Sequence, residues 1–270
     1  GGERYLVIAN GANRGAVAAA LAQRAAPFGA AVQDVTAGRA LLAVQGPRSR
    51  EILTAAGLGG VIGPLGYYRA AEAVWEGAPV VVARTGYTGE VGYEIASPAA
   101  EAPRLWQRIE AAGEPHGLAL AGLAARDTLR LEAGMALYGH ELTRATTPWD
   151  AGLDRFVDLE KGDFVGRAAL VAARERPPRR HLTALAGQGR RAARAGYAVL
   201  ADDAGTPVGQ ITSGALSPTL GRPIALAYVE GAAAPRPGAR LDVDVRGRAQ
   251  PFEVVEAPFY RRPRAAAPKA

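Results

Sequence analysis

At RERPPRR, residues 174–180, the chain stops alternating strand-like with helix-like stretches and becomes a run of short strands. No other feature limits the fold so much. Upstream, Tyr5–Ala9 reads as a strand, RGAVAAALAQRA from Arg14 as a helix, and ALLAVQG as a strand. PRSREILTAAG reads as a helix that starts near Pro47 and stops at Gly57. APVVVART and VGYEIAS read as paired strands linked by TGYTGE, and EAPRLWQRIEAAG and GLAARDTLRLEAG as two helices. Sheets covered by helices follow from that order. Downstream, YAVL, GQITSG, PIALAYVE, ARLDVDVRG and PFEVVEAPFY are short strands punctuated by DDAGTP, SPTLGRP and APRPGA. They predict a small sandwich or barrel behind a charged, proline-bearing linker.

Composition narrows the chemistry. With 270 residues, 49% of them hydrophobic, the chain can bury a substantial core. No apolar run reaches the roughly 18–20 residues of a membrane helix, and no signal-peptide pattern opens the sequence. The chain reads as cytoplasmic, with no membrane partner. It has no cysteine, which excludes disulfides, thiolate nucleophiles and Cys-based metal sites; its three histidines, His116, His140 and His181, are too scattered to suggest a metal. The net charge of +6 comes from dispersed arginines with only Lys161 and Lys269 as lysines, and aromatic content is 6%. An RNA-binding surface calls for clustered cations and exposed aromatics, so no nucleic-acid partner is expected.

Three segments could carry chemistry. In ARTGYTGEVGYEI, residues 83–95, strand alternation sends Tyr93 and Ile95 to one face and Glu94 to the other, beside Gly92. A carboxylate beside a glycine has room for a flat ligand and suits an amidine-like edge, such as a pterin or a guanine. Tyr87 could lay its ring on such a heterocycle. The competing reading is a glycine-shaped hairpin with a solvated Glu94. In GLAARDTLRLEAG, Arg126 and Arg130 share a helix face, and Leu123, Leu129 and Leu131 supply apolar contacts. The two guanidiniums answer either to Asp127 and Glu132 or to an anionic ligand. GQITSGALSPTLGRP, residues 209–223, either lines a site with hydroxyls and amides or merely connects two barrel strands. His140 reads as a surface residue. No Walker loop, G-x-S-x-G elbow or post-strand G-x-G-x-x-G is present.

In order, YLVIANGANR, LLAVQGPRSREIL, ARTGYTGEVGYEI, GLAARDTLRLEAGMALYGHEL, TTPWDAGL with GDFVGRAAL, and GQITSGALSPTLGRPIALAYV resemble the glycine cleavage T-protein family. The resemblance implies folate-binding α+β domains followed by a C-terminal β-barrel. It divides the chain into residues 1–40, a remnant of an α+β domain; 41–174, a folate-binding α+β domain; and 175–270, the barrel. It implies tetrahydrofolate as cosubstrate, no metal, and a lipoylated H-protein as partner. It places Glu94 on the pterin edge, Tyr87 and Asn10 at the folate site, Arg126 at the substrate site and Tyr260 near it. An acidic residue that assists the chemistry in the family falls before Gly1, so residues 1–270 alone are expected not to turn over. A folate-binding relative that acts as a maintenance or binding module is the alternative; the reactive cysteine such relatives carry in this turn has no counterpart at Thr85, Gly86 or Tyr87.

Overall fold

The computed structural model describes residues 4–176, 178–201, 205–231 and 234–263, which form two compact units. The first comprises residues 1–86 and 90–120. Its alanine-rich stretch coils into α1 (Arg14–Ala25), which buries none of its residues. Arg14 Nε donates to Asp34 at 2.8 Å, and Asp34 also accepts from the Thr36 N–H at 2.9 Å. Hydrogen bonding from Thr36, with Arg14 beside it, holds the Asp34 carboxyl well below the usual range.

β1 (Arg39–Gln45) then runs into α2 (Ser49–Leu53) and α3 (Gly59–Ile62). Between those helices Gly57 sits at φ 92°, a left-handed conformation that costs glycine little, so the helical stretch ends where its stop is expected, and α3 is a further short helix beyond it. β2 (Ala70–Trp75), β3 (Ala78–Ala83) and β4 (Gly92–Pro98) follow, and α4 (Ala102–Gly113) closes the unit with Pro103 in its first turn. The sheet is antiparallel, in the order β1-β4-β3-β2. β2 was not expected from the sequence, because AAEAVW alternates with alanine rather than with a β-branched residue on its inner face.

One sheet face carries Val44, Tyr93, Ile95, Val80, Val82 and Trp75, and it packs against Leu53, Ile62, Leu105 and Ile109 of the helices. Each large side chain buried this way contributes roughly 1.5–3 kcal/mol. The Trp75 indole N–H is satisfied by the Ala56 carbonyl at 2.8 Å. The opposite face carries Ala43, Glu94 and Ala83, neighbours in register.

Tyr5–Ala9 is not a strand. The segment has no ladder partner among the described residues, and Tyr5, Leu6, Val7 and Ile8 are exposed. Arg4 just before it bonds Glu72 of the outer strand β2, yet no ladder forms, because propensity alone does not make a strand.

The second unit comprises residues 87–89 and 121–270. α5 (Leu123–Glu132) ends at Gly134, whose φ of 66° closes the helix in the left-handed conformation. α6 (Arg167–Arg174) precedes the linker. β5 (Arg180–Gly187), β6 (Ala198–Ala201), β7 (Pro207–Leu216), β8 (Pro223–Glu230), β9 (Arg240–Asp244) and β10 (Ala249–Val255) close into a barrel in the order β10-β5-β8-β7-β6-β9. Closure removes free sheet edges. Leu185, Val199, Ile211, Val243 and Phe252 fill the interior. Leu131 of α5 packs outside it on Ala184, Ile224 and Leu226. The expected α+β fold with a C-terminal barrel is the one observed. No described helix is long and apolar enough to cross a membrane.

At Gly209 of β7 the chains pass so closely that an added Cβ would lie 2.2 Å from the Tyr228 carbonyl oxygen and 3.0 Å from the Val229 Cα. Both are ladder backbone and cannot swing away. Gly209→Ala is therefore expected to cost about 1–3 kcal/mol of stability, read as a lower midpoint in urea unfolding. A midpoint equal to that of the parent would contradict this packing.

Candidate functional site

Glu94 stands half-buried on the helix-free face of the first unit's sheet, at the register position shared by Ala43 of β1 and Ala83 of β3. Two methyl-sized neighbours leave space over a carboxylate that longer side chains would fill. The room expected beside Gly92 is not free, however. Gln45, opposite Gly92 in the ladder, lays its amide there: a Cβ added at Gly92 or at Gly86 would lie 1.9 Å from Gln45 Oε1. The same amide donates to the Thr85 and Tyr93 carbonyls, both at 3.2 Å. The glycines therefore seat a glutamine that ties the start of the link to β4. The only signal for it in the sequence was a polar residue opposite a glycine in a paired strand. Asn10, in the same unit, is exposed at the entry to α1, with its carbonyl accepting from the Asn13 N–H at 2.9 Å.

Tyr87, Arg126 and Tyr260 lie in the second unit, where the first two are in contact. Tyr87 donates its hydroxyl to the Ala136 carbonyl, and the Arg126 guanidinium carbon lies 5.1 Å from the centre of the Tyr87 ring. A stacked guanidinium of this kind contributes about 0.5–1 kcal/mol when exposed, as Arg126 is. Arg126 forms no ion pair among the described residues. Two residues on from Tyr87, a Cβ at Gly89 would touch Ala133 at 3.0 Å and the Tyr260 ring at 4.0 Å. The Tyr260 N–H donates to the Glu132 carbonyl at 2.8 Å.

Beneath these residues is a network that sequence reasoning only partly anticipated. Arg130, 1% exposed, donates from Nε to Asp127 at 2.8 Å, from Nη1 to the Met135 carbonyl at 3.1 Å and to Glu141 at 2.9 Å, and from Nη2 to the Ser213 hydroxyl at 2.7 Å. Asp127 is a partner, as expected; Glu132 is not. Glu132 instead accepts from the Ser217 hydroxyl, from the Thr219 hydroxyl at 2.8 Å and from the Thr219 N–H at 3.2 Å. The helix turn separates the two side chains, because residues two apart point to different sides. Leu123 is also corrected: it is 85% exposed, while Leu131 carries the apolar packing.

The 209–223 segment thus joins two barrel strands and lends hydroxyls as well. A bulge at Thr212 shifts the β7–β8 register between Ile211 and Ser213, so Ser213 meets Arg130 while Ile211 stays in the barrel core. The displaced Thr212 carbonyl accepts from His140 Nδ1 at 3.0 Å, and His140 is exposed, as expected. Glu141 was missed outright. It is fully buried and accepts the Leu137 N–H at 2.8 Å, yet GHEL looks like surface loop and offers no periodic signal for burial.

Burial pushes the Tyr87 hydroxyl above its ordinary range; Arg130 and Arg126 oppose that shift, and Glu141 and Asp127 add to it. The phenol is therefore a fixed hydrogen-bond donor at neutral pH.

Comparison with known proteins places the chain in one family, with a division at the linker rather than at the boundary of the two units. Residues 1–161 match the GCVT N-terminal domain family and residues 180–261 the glycine cleavage T-protein C-terminal barrel domain family. An aminomethyltransferase of Saccharopolyspora erythraea is 52% identical over 266 residues, 97% of this chain and 71% of that protein. One of Moorella thermoacetica is 48% identical over 261 residues, 96% of this chain and 70% of that protein. The crystal structure of glycine cleavage system aminomethyltransferase T from Bartonella henselae superposes with a TM-score of 0.82 at 35% identity, covering 93% of this chain and 67% of that one. The chain belongs to the glycine cleavage T-protein family of aminomethyltransferases.

Proposed function

We propose that the chain serves a tetrahydrofolate-dependent aminomethyl transfer in the glycine cleavage system, in the cytoplasm, with a lipoylated H-protein as donor. The donor is an aminomethyl group on a lipoyl sulfur. Its C–S and C–N bonds break, and the carbon forms two new C–N bonds to N5 and N10 of the folate. The two protons those nitrogens lose end on ammonia and on the released thiol, so 5,10-methylenetetrahydrofolate, ammonia and dihydrolipoyl protein balance the substrates. No oxidant and no metal enters that balance.

One observation carries this reading: a half-buried carboxylate, Glu94, standing between two alanines on the helix-free face of an antiparallel sheet. A carboxylate accepts two parallel N–H bonds, and the aminopyrimidinone edge of a reduced pterin offers two. In this reading Tyr87 and Arg126 supply an aromatic face and an exposed cation for the folate and substrate, and Tyr260 and Asn10 complete the set. The family membership supports the reaction class.

None of these residues is assigned the proton steps. Folate binding, rather than turnover, is therefore the direct measure of this set. The test mixes the purified chain with tetrahydrofolate and aminomethyl-loaded lipoyl protein, and follows folate binding together with ammonia and methylene-folate formation. Saturable folate binding is expected, and its absence would sink the reading.

A further inference from the structure

Arg130 and Glu141 face each other 2.9 Å apart with side chains 1% and 0% exposed. A buried ion pair is costly to desolvate and is weak evidence for a purely stabilising role. What this pair does locally is specific. Three successive backbone groups between the two residues are each held: the Met135 carbonyl by Arg130 at 3.1 Å, the Ala136 carbonyl by the Tyr87 hydroxyl, and the Leu137 N–H by Glu141 at 2.8 Å. The pair is itself anchored from the barrel, by Ser213 on Arg130 at 2.7 Å and by the Tyr228 hydroxyl on the Glu141 carbonyl at 2.8 Å.

We propose that Glu141 is a positioning residue for Tyr87: with Arg130 it fixes the Ala136 carbonyl, that carbonyl fixes the Tyr87 ring, and the ring holds its stack with Arg126. Without the pair, two of these three bonds are lost; the Met135 N–H stays on the Arg130 carbonyl and the Leu137 carbonyl on the N–H groups of residues 140–142, which leaves the Ala136 carbonyl between them free to turn and the ring to lose its register. The proposal rests on the reading of Tyr87 as a folate contact, and its test is arranged so that the two can fail separately. The ionisable groups that act on Tyr87 are Arg126, Asp127 and Arg130 on α5 and Glu141 on the following loop.

The test variant is Glu141→Gln. It keeps an oxygen toward Arg130 and the Leu137 N–H, and places its amide where Glu141 Oε1 has no hydrogen-bond partner. It loses the charge, and with it about half the strength of those bonds. Tetrahydrofolate affinity is expected to weaken about fivefold in the parent background, as part of one net hydrogen bond is lost. In a Tyr87→Phe background Glu141→Gln is expected to change affinity little, because the group it positions is already gone. Equal weakening in both backgrounds, or none in either, overturns the proposal.

A second readout needs no folate. The Tyr87 titration, isolated by difference from Tyr87→Phe, is expected to move down in Glu141→Gln, since a carboxylate that raises it is removed and its hydrogen bond loosens. The sign follows from the neutral phenol being the donor: the bond persists below the raised value and is lost as pH rises through it. An unmoved titration also overturns the proposal. Failure of the parent to bind folate would sink the folate reading, and the titration alone would then decide whether Glu141 positions Tyr87. Should Glu141→Gln not fold, Arg130→Lys keeps the buried charge but lacks the fork that reaches Met135, Glu141 and Ser213 together, and the same two readouts apply.

Discussion

Arg130→Ala is expected to lower folding stability by about 3–5 kcal/mol, the usual cost of removing one partner from a buried ion pair. The side chain is 1% exposed and its donors reach Asp127, Met135, Glu141 and Ser213. Truncation leaves Glu141, fully buried, with only the Leu137 N–H as partner for its carboxylate. It also opens a void between α5 and β7. The contrast is Arg14, whose pair with Asp34 has side chains 50% and 37% exposed and whose removal should cost far less. Urea unfolding of both variants against the parent measures the difference. A loss near 1 kcal/mol for Arg130→Ala would mean that water already reaches the pair.

The second large effect concerns binding. Glu94→Gln exchanges one of two carboxylate oxygens for an N–H donor, which would face the donor edge of a pterin. One charge-assisted bond is lost, the other becomes neutral, and a donor meets a donor. The loss is about 3 kcal/mol or more, on the order of a hundredfold in Kd. Stability should hardly move, because the register neighbours of Glu94 are Ala43 and Ala83 and the change keeps size and half-exposure. That separation, a large loss in affinity with folding intact, distinguishes a ligand-holding carboxylate from a solvated strand residue.

Periodicity and punctuation made much of the fold legible. The helix from Arg14, the strands around Val80 and Tyr93, the helix end at Gly134 and the tail of short strands all fall where spacing and glycines put them. The departures share a cause: each depends on what lies opposite. Tyr5–Ala9 has strand composition but joins no ladder among the described residues, and AAEAVW lacks that composition yet pairs along β3 for its whole length. At the site, Arg126 and Arg130 look equivalent on a helical face, but one stacks on Tyr87 in the open while the other is sealed beneath it. Glu141 and Gln45 could not be picked out, since Glu141 is paired with Arg130, which is itself held by Ser213 of the barrel bulge, and Gln45 lies opposite Gly92 of a facing strand, and no local pattern encodes either.

Isothermal titration of tetrahydrofolate into the 270-residue chain and into its Glu94→Gln variant tests the pterin-holding carboxylate most directly. The parent should give saturable binding at one site, and the variant, still folded by circular dichroism, should give none in the same concentration range. Indistinguishable isotherms from two folded proteins would contradict the assignment of Glu94.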